Sequence, residues 1–130
     1  MAYGTINVDT LTASTGVLAT QNGMTGICKA WVNFNGTSGS IYKGFNVSSV
    51  TRTAAGFYTV NFTTAMPDAN YAVVLGSMFG TNGTTVTSPS LQTYGGAPAQ
   101  TTTALYVSNQ GTGGGGGNAD SQQFCVAVFD

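Results

Sequence analysis

Alternation of apolar and polar side chains, with no stretch of helical spacing, is the feature that most constrains this chain. In Cys28–Asn35, the residues Cys28, Ala30, Val32 and Phe34 fall on one face and Lys29, Trp31 and Asn33 on the other. A period of two is that of a β-strand with one covered face. Phe57–Thr64 repeats it through Tyr58, Val60 and Phe62, and Thr101–Ser108 and Gln123–Phe129 read as further strands. Asn70–Phe79 is almost continuously apolar, which predicts a strand buried on both faces. Tyr42–Val50 and Thr84–Tyr94 are weaker patterns. The second contains Pro89, which lacks an amide hydrogen and suits an edge or a bulge. Abundant Thr, Val, Gly and Asn disfavour helix. Turn signals separate the runs: Asn35-Gly36, Ala54-Ala55-Gly56, Met66–Asn70 and Asn82-Gly83.

The expectation is an all-β fold, an antiparallel β-sandwich or jelly-roll-like head over residues 27–130. Residues 1–26 carry only the short alternating patch of Ile6 and Val8 before a Ser/Thr/Gly-rich passage, and they predict an extended N-terminal attachment arm.

Charge then narrows function. Only 5% of the 130 residues are charged, with three basic and four acidic side chains and no His. Without His, a Ser-His-Asp or Cys-His nucleophile and a His-based zinc site are excluded. Three cations do not neutralise a run of phosphates, so no nucleic-acid partner is expected. Met1–Ile6 has neither a positive charge nor an apolar run, so no secretory signal is expected, and no membrane insertion either. A surface made polar by Thr, Ser, Asn, Gln and Gly offers little repulsion between copies and favours self-association.

The reactive side chains lack catalytic spacing. The aspartates are scattered, and Asp68 suits a local turn after Pro67. Asp120 with Asn118 and Ser121 is an oxygen-rich loop without EF-hand spacing. Cys28 and Cys125 sit on alternating apolar faces, which predicts two buried thiols, with a disulfide as the alternative if the first and last strands are neighbours. The glycine run 113–117 lacks the lysine of a phosphate-binding loop. Trp31, Tyr42, Phe45, Tyr71 and Tyr94 are weighed as stacking platforms against a place in the core. No enzyme activity, cofactor or metal is expected.

Four segments carry a resemblance: Lys29–Gly36 (KAWVNFNG), Phe45–Val50, Gly56–Phe62 and Met66–Val73. Together they resemble a module at the C-terminal ends of tail-fibre-like virion proteins of tailed bacteriophages. Phe124–Phe129 fits the module's final strand, and Met1–Thr12 is similar to the start of such phage proteins. The resemblance implies a virion structural protein, assembled in the host cytoplasm, that forms a homotrimer and contacts other virion proteins of tail or capsid. Its leading role is that of a short tail-fibre or tip adhesin in contact with host surface polysaccharide. The alternatives are a capsid decoration protein and, remotely, a carbohydrate-processing enzyme. Tyr3, Ile6, Val8 and Leu11 are the candidate attachment residues. The candidate receptor contacts lie in loops expected at one end of the sandwich: Asn82, Tyr94, Gly95, Gly96, Gly113, Gly115, Asn118 and Asp120.

Overall fold

The computed structural model describes residues 27–78, 87–93, 95–111 and 117–130. Among them are eight strands: β1 (Cys28–Phe34), β2 (Ile41–Phe45), β3 (Val47–Ala54), β4 (Phe57–Phe62), β5 (Ala72–Ser77), β6 (Thr87–Leu91), β7 (Ala104–Gly111) and β8 (Phe124–Phe129). They form two four-stranded antiparallel sheets, in the order β2-β1-β8-β5 and β3-β4-β7-β6. No helix occurs among the described residues. The all-β expectation holds, and the arrangement is consistent with a β-sandwich.

Alternation explains the core. Ala30, Val32 and Phe34 of β1 and Phe124, Val126 and Val128 of β8 meet Tyr58 and Val60 of β4 and Leu105 and Val107 of β7. Each is no more than 3% exposed. The Phe34, Tyr58 and Phe124 rings lie 5.1–5.4 Å apart by centroid and pin one sheet to the other. Edge-on and offset ring contacts of this kind add to the area they bury.

Three local expectations are corrected. The Tyr42–Val50 pattern is not one strand. It breaks at Asn46, whose φ of 55° turns the chain from the first sheet into the second. Asn46 holds this left-handed conformation with its own side chain, which donates to Lys29 O and Thr64 O and accepts from Thr64 N at 2.7 Å. Next, the continuously apolar β5 is an edge strand and not a central one. Its inward Val73 and Leu75 pack on the core, while Val74 is 61% exposed.

The third correction concerns the cysteines. Cys125 is exposed and Cys28 half-buried, and both thiols are free. Their strands are neighbours, but the register sets Cys28 opposite Phe129 and Cys125 opposite Asn33. That separates them by roughly 16 Å along the ladder at about 3.3 Å per residue, beyond the ~7 Å that a disulfide spans. Partial burial still pushes the Cys125 thiol pKa up.

The Pro89 reading fits the structure: β6 is the edge of its sheet. So does Asp68, whose Oδ1 accepts from Asn70 N at 2.6 Å. Gly56 is required where it stands. It turns the chain at φ +68°, and a Cβ there would meet Asn109 O at 2.5 Å.

Candidate functional site

A cleft of about 480 Å³ opens at one end of the first sheet, lined by Asn33, Asn35, Tyr42, Met78, Gln122 and Gln123. Each residue arrives from a different local cause. Asn33 points outward from β1 because its neighbours Val32 and Phe34 point inward. Asn35 opens the turn after β1, its Oδ1 accepting from the amides of Thr37 and Ser38 at 2.8 and 3.1 Å. Such a side-chain turn is what Asn does before Gly.

Tyr42 owes its place to a bulge. Asn33 pairs with Lys43 and Phe34 with Ile41, so Tyr42 is the extra residue on β2. Bulges re-aim a side chain, and this one carries the phenol to the strand end. There its hydroxyl receives Asn35 Nδ2 at 2.9 Å and donates to Gln122 O at 3.2 Å. Opposite, Met78 N donates to Gln123 O at 2.8 Å, tying the chain beyond β5 to the approach to β8.

Among the described residues the lining is four carboxamides, a phenol and a thioether, with no carboxylate, ammonium or guanidinium. Carboxamides donate and accept at once, which suits neighbouring hydroxyls, and the exposed Tyr42 ring offers an apolar face. Asn33 Oδ1 is buried and finds no hydrogen-bond donor among the described residues. A buried acceptor left unmet is costly.

Beside the cleft a second cluster is committed to structure. Asp120 accepts from Arg52 Nε at 3.0 Å and Nη2 at 2.7 Å, from Gly56 N at 2.9 Å and from the Tyr58 hydroxyl at 3.1 Å. Partial burial acts to raise the Asp120 pKa. The bonds from Arg52, Gly56 N and Tyr58 outweigh it and hold the carboxyl below its ordinary value. Burial, then the Asp120 charge, pushes the Tyr58 phenol well up. Ser121 is buried, its Oγ donating to Gln123 O and its carbonyl accepting from Gly36 N. No group of three metal-ligating side chains occurs among the described residues. The clasp thus fixes the segment that carries Gln122 and Gln123.

The loops expected at one end divide between two. The Asn35–Ser40 turn, Gly56 and the segment holding Asn118 and Asp120 share the cleft end, joined by Gly36 N to Ser121 O and Asn109 N to Gly56 O. Gly95 and Gly96 lie at the far end. Their segment leads into Ala104, which pairs with Asn61 at the opposite end of β4 from Phe57. Asn82, Tyr94, Gly113 and Gly115, and Tyr3, Ile6, Val8 and Leu11 of the expected arm, lie outside the described residues.

Of the stacking candidates, Tyr71 belongs to the core, its phenol pushed up to about 12 by burial. Tyr42 alone among the described ones lines the cleft. Asn33, Asn35, Met78, Gln122 and Gln123 went unnoticed in the sequence, where only the adjacent Gln pair before β8 hints at a polar patch. Searches of protein-family models, of curated proteins and of solved structures find no match to this chain.

Proposed function

We propose that this chain is a virion structural protein of a tailed bacteriophage, a short tail-fibre or tip adhesin whose head binds a neutral surface polysaccharide in the amide-lined cleft. The observation that carries the reading is the cleft lined by four carboxamides and the Tyr42 phenol. Its volume falls within the range of small-ligand sites. The layout supports it too. β1 begins at Cys28, opposite Phe129, and runs to Phe34 beside the cleft, so Ile27 and Asp130 sit at the end away from it. An arm over 1–26 that anchors the chain would leave the cleft facing outward. A jelly-roll-like path of the strands completes this reading, and no catalysis belongs to it.

A capsid decoration protein is the second reading, favoured by the apolar outer face of the first sheet, which would seat on a lattice. Binding decides between them. On immobilised host polysaccharide, Tyr42→Ala and Gln122→Ala should weaken capture at least about tenfold while the melting temperature stays within a few degrees. Saturable capture without shortening of the polymer supports the adhesin. No capture by the parent protein overturns it in favour of decoration, and shortened polymer brings back the enzyme.

A further inference from the structure

The two outer faces of the molecule differ in kind. Across the second sheet one row reads Thr51–Thr59–Tyr106, with Asn61 donating to Ser49 Oγ at 3.0 Å on one side and Phe57 beside the buried Ser108 on the other. Across the first sheet the register aligns Phe45, Trp31, Ala127 and Val74 in one row over all four strands. Phe45 is 49% and Val74 61% exposed. The next row is Lys43–Asn33–Cys125–Gly76, and Phe129 and Ala72 flank the other side. On the second sheet polar residues interrupt the apolar ones; a row of Phe, Trp, Ala and Val unbroken across an entire sheet calls for cover.

We propose that this face binds a second copy of the chain about a two-fold axis parallel to the strands. The order of the row is the reason. It runs large, large, small, small. A two-fold along the strands reverses it, so Phe45 faces the partner's Val74 and Trp31 faces the partner's Ala127. In the next row Lys43 faces the partner's Gly76, and the two Lys43 ammonium groups stay at opposite edges. Such a self-complementary patch is what a two-fold interface requires.

The size is sufficient. Four strands about 4.8 Å apart and six residues long give a face on the order of 400 Å² in plan. Two faces with their rims remove on the order of 1,000 Å² from water, the floor for a specific interface. This register favours a pair in place of the threefold arrangement that the fibre resemblance implies. The axis also brings the two clefts face to face at one end and sets Asn33 against the partner's Cys125, so pairing and polysaccharide capture compete for Asn33.

Cys125 reports on the arrangement. Facing sheets stand about 10 Å apart, so the two Cys125 Cα atoms come within roughly 11 Å across the axis, too far for a disulfide and within reach of a short bismaleimide. In a Cys28→Ala background the reagent should give a covalent species of twice the 13.2 kDa chain. Light scattering of the full chain should return the same mass at micromolar concentration. Val74→Asp alters an exposed side chain, so it should keep the melting temperature. It should raise the dissociation constant at least about tenfold and abolish the crosslink, because pairing would bury two carboxylates.

A monomer, a trimer without the Cys125 crosslink, or a pair untouched by Val74→Asp would each overturn the proposal. Polysaccharide capture per head is read separately on the Val74→Asp monomer. Capture there with no pairing in the parent sinks the pair and keeps the adhesin. Pairing with no capture sinks the adhesin and keeps the pair.

Discussion

At the scale of single residues, the molecule is held where a polar side chain takes on a backbone duty. Asn46 does so at the crossing between sheets, and Asp120 does so at the cleft end. Asp120 titrates below its ordinary 3.8 in the fold. Its contribution is therefore complete above pH 4 and is lost as pH falls through the lowered value. Tyr58 and Tyr71 act at the other limit, because their phenols titrate above the ordinary 10.0. Their stabilisation is complete below pH 10 and declines above it, over a window that for Tyr71 extends to about 12. Chemical denaturation across pH should show a plateau bounded by these two losses. Asp120→Ala should remove the acid-side slope and cost about 2 kcal/mol at neutral pH, since Gly56 N and the Tyr58 hydroxyl lose their acceptor. An unchanged acid limb in that variant would show that the clasp does not carry it.

At the scale of elements, position in the sheet decides how firmly each strand is held. β1, β8, β4 and β7 are central, and β2, β5, β3 and β6 are edges. All five residues of β2 are exposed, and its register is interrupted at Tyr42. Hydrogen exchange should be slowest in β8 and β7 and fastest in β2, because local opening follows buried contact and ladder pairing. Equal rates in β2 and β8 would contradict that order. The strands themselves were legible because alternation is local: Ala30, Val32, Phe34 and Tyr58, Val60, Phe62 announce their inner faces. The neighbours were not, because pairing is set by contacts far apart in the chain. β5 read as a central strand because Val74 and Leu75 are both apolar, and sequence alone does not say that Val74 faces outward from an edge. Asn46 left a signal that alternation masked, since Asn is depleted in strands and tolerates a positive φ. The cleft was illegible for the same reason as the pairing. Asn33, Tyr42, Met78 and Gln122 meet only once the register and the Tyr42 bulge are known.

At the scale of the whole molecule, charge is the organising fact. Among the described residues Arg52 and Asp120 are consumed by one another at 2.7 Å. Lys43 pairs with Asn33 and follows Tyr42, so it stands beside the cleft without being among its lining residues, and Lys29 stands on β1. A neutral ligand held by carboxamides and a phenol carries no charge for Lys43 to attract, so its capture has no long-range electrostatic component to be screened. Salt weakens contacts between exposed charges, with a screening length of about 10 Å at 0.1 M and about 3 Å at 1 M. Hydrogen bonds between neutral groups at 2.7–3.2 Å do not depend on it in that way. Capture of a neutral polysaccharide should accordingly keep its affinity within about twofold between 0.05 M and 1 M sodium chloride. A charged polymer steered by Lys29 and Lys43 would lose affinity steadily over the same range. The pair interface should move the other way, because apolar burial such as that of Phe45 and Trp31 strengthens when sulfate is the added salt. Measuring capture on the Val74→Asp monomer and on the parent in both salts separates the two contributions. A steep fall in sodium chloride for the monomer would show that the ligand is an anion and that neutral hydrogen bonding in the cleft does not carry its capture.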